Sequence, residues 1–195
     1  MHARCLTRRA SLLLPLLVAA CGGGDDQKIY PPLRFVLPPL RLNVSDIQIE
    51  QRFMPSGVKP DVSQLAPVPP VDALRTMAQE RLQAFGTTGR AVFSILDASL
   101  TRQDDVIHGM MAVRLDIYGS DNVRAGFAEA QISRAHTGRV ESLRGTLYDM
   151  VKAMMQSMNV EFEYQLRRNL RDWLVGTTAA PTPVQQAPLE LPTPR

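Results

Sequence analysis

The alternation of apolar and polar residues along the chain predicts four β-strands. Residues 40–53 alternate in this way, and their apolar positions change parity at Ser45-Asp46, which indicates a β-bulge. In the middle of residues 91–100 both the odd and the even positions are apolar, as in a central strand. Residues 111–118 instead alternate between apolar and polar, as in a strand with one solvated face. A Gly-Ser-Asp-Asn turn then leads into residues 123–134. We therefore expect the last three strands to form an antiparallel meander.

Two further segments repeat apolar residues at helical spacing. The first covers residues 71–85, and Gly86 is placed to end it. The second runs over 139–175 without proline, and its continuous apolar stripe predicts one helix of about 36 residues, roughly 54 Å long. A strand of about 11 residues spans only roughly 36 Å, so one end of this helix should overhang the sheet or bend back. The last strand contains small residues that should let a helix approach closely: Ala125, Gly126, Ala128 and Ala130.

The resulting order, β-α-β-β-β-α, predicts an α+β fold. In this two-layer sandwich a four-stranded, mainly antiparallel sheet carries two helices on one face. Residues 54–70 contain five prolines and predict an exposed loop that is either functional or without fixed structure. The chain is expected to divide into a signal peptide (1–20), a lipidated Gly/Pro tether (21–39), the α+β domain (40–175) and a disordered Pro-rich tail (176–195). Residues 29–37 are too apolar for a free linker, so part of the tether should lie against the domain.

The first twenty residues have the pattern of an export signal. Arg4, Arg8 and Arg9 form a positively charged start, and residues 10–20 are apolar apart from Ser11. Eleven helical residues reach only about 16 Å, roughly half of a bilayer core, which favours a signal peptide over a membrane-spanning helix. The arginine pair also resembles a twin-arginine signal, but Ser11 lacks the usual aromatic ring, which favours the general secretory route.

The end of this segment, Leu17-Val18-Ala19-Ala20-Cys21, resembles the bacterial lipobox. Small residues before the cysteine fit a narrow peptidase cleft, and the Cys21 thiol is the nucleophile that takes a diacylglycerol. Several acyl chains, at about 0.8 kcal/mol per buried methylene, make such an anchor effectively permanent. The pattern predicts a palmitate-type lipid anchor on Cys21 and a membrane as the partner of that anchor. An ordinary signal peptide with a chance cysteine is the alternative.

Charge and cysteine content exclude several function classes. The pI of about 9.1 invites a nucleic-acid hypothesis, but three of the 22 basic residues lie in the signal and none of the 19 acidic residues do. The mature chain is therefore formally neutral, and we expect no nucleic-acid partner. Cys5 leaves with the signal and Cys21 would be acylated, so the mature domain has no disulfide and no cysteine metal site.

No motif in the chain predicts catalysis or a cofactor. The two mature histidines, His108 and His136, are far apart in sequence and predict no metal site. Asp104-Asp105 follows a predicted strand and is interpreted as a solvated turn. No P-loop, dinucleotide fingerprint, nucleophile elbow or Ser-His-Asp arrangement occurs, so we expect neither enzyme activity nor a cofactor. Four methionines could be imagined as a copper site, but at core spacing they are interpreted as packing residues: Met150, Met154, Met155 and Met158.

Three arginines lie beside the apolar stripe at the C-terminal end of the last predicted helix. They complement the helix dipole, and Arg167 can pair with Glu163 four residues earlier. The stripe continues beyond the expected end of the sheet, so either the tether folds back to cover it or a partner or lipid does. The candidate partner or lipid contacts are Phe162, Leu166, Arg167, Arg168, Leu170, Arg171 and Trp173.

The lipobox, the tether and the element order with a long final helix together resemble two families of envelope lipoproteins. One is the LPS-assembly lipoprotein family (LptE-like), which plugs the outer-membrane translocon barrel, and the other is the auxiliary lipoprotein of ABC-type lipid transport systems. The resemblance covers about residues 21–175. It implies a non-enzymatic accessory lipoprotein that binds a membrane-protein partner or a lipid in outer-membrane assembly or lipid transport. Gly22 after the anchor, in place of aspartate, implies an outer-membrane location facing the periplasm. A periplasmic enzyme or a small-ligand-binding lipoprotein is the alternative.

Overall fold

The structure is a computed structural model that describes residues 28–176. The predicted signal peptide, Cys21 and the predicted tail beyond Gly176 lie outside the described residues. The regular elements, in chain order, are β1 (Leu40–Leu42), β2 (Asp46–Gln51), α1 (Pro70–Arg81), β3 (Leu82–Ala84), β4 (Arg90–Gln103), β5 (Val106–Tyr118), β6 (Arg124–Thr137) and α2 (Leu143–Asn169).

One four-stranded sheet, in the order β2-β4-β5-β6, organises the domain. β2 runs parallel to β4, and α1 makes the crossover between them. β4, β5 and β6 form the predicted antiparallel meander. α1 packs on β4 and β2, α2 packs on β6 and β5, and both helices share one apolar core with the sheet. The predicted α+β fold with a mainly antiparallel sheet is therefore confirmed.

The predicted first strand is two strands that belong to different sheets. β2 joins the main sheet, whereas β1 pairs in parallel with β3, a three-residue strand that the sequence pattern did not predict. The break between β1 and β2 lies where the parity of the apolar residues changes. The first helix was expected to continue to residue 85, and this is wrong: α1 ends at Arg81 because Leu82 is extended and begins β3. Phe85 is consequently 60% exposed.

The core lies between the sheet and the two helices. Alternate residues of β5 are fully buried. Phe93 of β4 packs edge-on against Phe162 of α2, with 5.5 Å between the ring centroids. The four methionines of α2 are all buried in the same cluster, which confirms that they fill the core. Burial of each large apolar side chain contributes about 1.5–3 kcal/mol relative to exposure.

Small residues on β6 let α2 approach the sheet closely. A Cβ atom at Gly126 would lie 2.9 Å from Cδ2 of Leu170, which is closer than side chains normally pack. Ala128 and Ala130 are buried under the helix. The predicted close approach is confirmed for these three residues, whereas Ala125 is exposed.

The C-terminal helix is shorter than expected. α2 has 27 residues, so it is roughly 40 Å long. The chain then bends back through a 3-10 turn at Arg171–Trp173, and Leu174 forms a β-bridge with Leu42 of β1. The prediction of one helix over 139–175 is wrong at both ends, because α2 begins at Leu143 and ends at Asn169. Of the two predicted outcomes for its C-terminal end, a chain that bends back is the one that occurs. Leu170 and Leu174 stay buried as a result.

The proline-rich loop 54–70 is partly a structural element. The Val62 N–H donates to the Leu100 carbonyl at 2.8 Å, and the Arg102 N–H donates to the Pro60 carbonyl at 2.8 Å. This segment continues the pairing along β4 beyond the point where β2 ends. The expectation of an exposed loop is therefore wrong for its second half, in which Val62, Ser63 and Ala66 are buried.

Leu166 tests whether the end of α2 belongs to the core. Its side chain is 0% exposed, so Leu166→Ala should lower the free energy of unfolding by about 2–5 kcal/mol. Tyr164→Ala, at a position 54% exposed on the same helix, is the control and should change it by no more than about 0.5 kcal/mol. Urea denaturation of both variants makes the measurement. Equal stability of the two would contradict the packing described above.

Candidate binding groove between the tether and the long helix

The described part of the predicted tether lies along α2. Leu33 and Phe35 pack against the core. Tyr30 contacts Tyr148 of α2, with 5.1 Å between the ring centroids, and the Tyr148 hydroxyl donates to the Pro31 carbonyl at 3.1 Å. The expectation that part of the tether lies against the domain is thus confirmed. It lies beside α2 between Tyr148 and Val160 rather than over the C-terminal end of the helix.

A buried arginine joins the tether to both helices. Arg81, the last residue of α1, is 1% exposed. Its guanidinium donates to the Pro38 carbonyl at 3.1 Å, to Asn159 Oδ1 at 3.0 Å and to Glu163 Oε2 at 2.7 Å. Asn159 is itself fixed, because its amide donates to the Met155 carbonyl of the preceding helical turn. We call Arg81 and these three partners the Arg81 cluster.

The charge of Arg81 is compensated chiefly by Glu163. Burial alone would raise the pKa of Glu163, but hydrogen bonds from Arg167 and Arg81, and the attraction of both guanidinium groups, outweigh it and lower that pKa. Arg167 donates to the second carboxylate oxygen of Glu163 at 2.8 Å. Glu163 is therefore held ionised between two arginines, which is the state that a buried guanidinium requires.

A second ion pair fixes the middle of the tether. Arg34 donates to Glu80 Oε1 of α1 at 2.8 Å, and the Phe35 N–H donates to the other carboxylate oxygen at 2.9 Å. The hydrogen bond from Arg34, followed by that from Phe35, lowers the pKa of Glu80. The Arg34 side chain is 68% exposed, so this pair orients the tether and contributes little to stability by itself.

An open groove of about 530 Å³ runs between the tether and the outer side of α2. Apolar side chains make most of its wall, and several of them are exposed: Val36 at 95%, Leu37 at 46% and Val160 at 71%. Two charged residues line it, Lys152 and Arg34, and both are cationic. The complete lining is Pro31, Pro32, Leu33, Arg34, Phe35, Val36, Leu37, Tyr148, Lys152, Met155, Gln156, Asn159 and Val160.

The residues predicted as partner or lipid contacts lie elsewhere and do not form one surface. Phe162, Leu166 and Leu170 are buried in the core. Trp173 is partly buried and packs against it, and its carbonyl accepts the Asn43 N–H at 2.8 Å. The structure places the three arginines on the surface of the same end of α2: Arg167 beside Glu163, and Arg168 and Arg171 exposed. Their role in contact with a partner or lipid stays a prediction.

Other candidate chemistry is dispersed over the sheet. His108 of β5 pairs with Ala135 of β6, whereas His136 of β6 pairs with Ile107 of β5. The two histidines are therefore one position apart in the register, and their side chains point to opposite faces of the sheet. Asp104 and Asp105 form the exposed turn between β4 and β5, as predicted. Within residues 28–176, no three histidine, cysteine or acidic residues are grouped as metal ligands. None of the helices in this same range has the length and hydropathy needed to cross a membrane.

Comparison with solved structures finds ten matching chains, and the two described below are both distant in sequence. No family model matches the chain, and no curated protein matches it. Protein XCC0632 from Xanthomonas campestris, of family DUF330, has 8% identity and a TM-score of 0.36, over 70% of this chain and 92% of that chain. Lipoprotein GNA1162 from Neisseria meningitidis has 9% identity and a TM-score of 0.28, over 61% of this chain and 99% of that chain.

Glu163 should make stability depend on pH. The folded-state pKa of Glu163 is below the ordinary value of 4.5. The ionised carboxylate therefore contributes its full stabilisation above pH 4.5, and this stabilisation is lost as the pH falls through the folded-state pKa. Glu163→Gln should therefore be less stable than the parent at pH 7, and the difference should shrink in acid. Urea denaturation between pH 7 and pH 3 measures it. Glu161→Gln should show no such convergence, because among residues 28–176 the Glu161 carboxylate accepts a hydrogen bond only from the neutral Gln165. A constant difference for Glu163→Gln would contradict the account.

Proposed function

We propose that this protein is a non-enzymatic accessory lipoprotein of the bacterial cell envelope. It would be anchored by a lipid on Cys21 and would bind a membrane-protein partner or a lipid. The anchor is supported by the lipobox at the end of a short apolar segment that follows three arginines. Gly22 after the anchor supports an outer-membrane location facing the periplasm.

The observation that carries a binding role is the groove along α2. Its wall is largely apolar and contains no carboxylate, histidine, serine, threonine or cysteine. A catalytic site needs several polar groups that converge on a reacting atom, whereas a binding site needs apolar surface with a few polar groups that set orientation. The groove has the second composition. The Arg81 cluster holds both of its walls in place, so the surface is formed before any ligand arrives.

The anchor is tested at Cys21. Cys21→Ala should abolish incorporation of radiolabelled palmitate and release the protein from the membrane fraction, because the nucleophile that accepts the lipid is removed. Cys5→Ala is the matched control, since Cys5 lies inside the predicted signal, and it should leave labelling and fractionation unchanged. A Cys21→Ala protein that remains labelled and membrane-bound would contradict the proposed function.

A further inference from the structure

We infer that the groove between the tether and α2 binds one acyl chain of an anionic phospholipid from the membrane that carries the protein. The inference rests on the proposed function, because it takes the Cys21 anchor as the reason that the groove stays near a bilayer. The phosphate of the lipid would lie beside Lys152 and Arg34, and the acyl chain would lie along Leu33, Val36 and Val160.

The backbone of the tether favours an acyl chain over a peptide as the occupant. An extended peptide gains affinity from backbone hydrogen bonds to an exposed edge. Prolines 31, 32, 38 and 39 have no N–H group, and the N–H groups of Phe35 and Leu37 are already bonded to Glu80 and to the Phe35 carbonyl. The groove therefore offers an apolar wall with few backbone donors, which suits an occupant that needs none.

The charge of the groove favours an anionic headgroup. Lys152 has no ion-pair partner within residues 28–176, and its side chain lies at the groove. Arg34 donates to Glu80 through Nη1 alone, and the rest of its guanidinium is accessible because the side chain is 68% exposed. Lys28 lies over the Tyr30 ring, 5.3 Å from its centroid, at the start of the same tether. With no carboxylate in the lining, these cations are complementary to a phosphate.

The position of the tether favours a membrane lipid as the source. Lys28 is seven residues from Cys21, and seven extended residues span at most about 25 Å. A lipid on Cys21 would therefore keep the groove entrance near the headgroups of the same leaflet. Entry of an acyl chain into the groove would replace the contact of Val36, Leu37 and Val160 with water by contact with methylene groups, so the exposed apolar surface of the protein is the part that gains.

Photochemical labelling of the full-length lipidated protein tests this inference. The protein is reconstituted in phosphatidylethanolamine vesicles that contain a phosphatidylglycerol with a photoreactive acyl chain, and labelled peptides are identified by mass spectrometry. We expect label in the peptides that cover residues 33–37 and 152–160. Val160→Glu should reduce that label by about tenfold or more, because a carboxylate would have to be desolvated against the chain. Val123→Glu, at a position 63% exposed in the turn before β6, is the matched control and should not change it.

The headgroup is tested separately at Lys152. Lys152→Glu should reduce labelling by phosphatidylglycerol, Lys152→Arg should preserve it, and a phosphatidylcholine probe should label the parent less. Label that is absent from residues 33–37 and 152–160 of the parent, or that is equal in the parent and in Val160→Glu, would overturn the inference. A protein that is acylated on Cys21 but takes no label in the groove contradicts this inference alone, whereas a protein without acyl chains on Cys21 contradicts the proposed function.

Discussion

The ionic hydrogen bonds of Arg81 are the interaction on which the rest of the arrangement depends. A fully buried guanidinium is costly unless its donors are paired, and here the partners come from two segments distant in sequence: Pro38 of the tether, and Asn159 and Glu163 of α2. Satisfying the charge therefore fixes the tether, α1 and α2 relative to each other. Because α1 ends at Arg81 and β3 begins at Leu82, the same residue also sets where the small β1-β3 sheet can form.

The C-terminal segment pairs with β1 of the small β1-β3 sheet, and this pairing explains why the end of α2 is covered by the domain itself. β1 pairs with β3 on one side, and the returning C-terminal segment meets it through the Leu42–Leu174 bridge and the hydrogen bond from the Val175 N–H to the Arg41 carbonyl. Leu166 and Leu170 are thereby enclosed. The exposed apolar surface is instead found about two turns nearer the N-terminal end of α2, at Val160, beside the tether. The returning chain thus covers the apolar end of α2, whereas the apolar surface at Val160 stays exposed.

The sequence pattern predicted the features that depend on periodicity. The meander, the crossover helix and the core methionines follow from apolar spacing, and the close approach at Gly126 follows from side-chain size. The three-residue strands β1 and β3 are too short to give a period, and their pairing depends on residues about forty positions apart. The groove depends on long-range contacts in the same way. One signal was present: Arg81 follows Leu74, Met77 and Ala78 at core spacing, and a charge in such a position indicates a buried polar cluster.

Amide hydrogen exchange of the tether tests most directly whether the Arg81 cluster holds it on the domain. In the parent protein, the Phe35 and Leu37 N–H groups should exchange slowly, because both are hydrogen-bonded. Arg81→Met should remove this protection while the central residues of α2 remain protected. Arg75→Met, at a half-exposed position of α1, should leave the tether protected. Rapid exchange of Phe35 and Leu37 in the parent, or equal protection in Arg81→Met, would contradict the account.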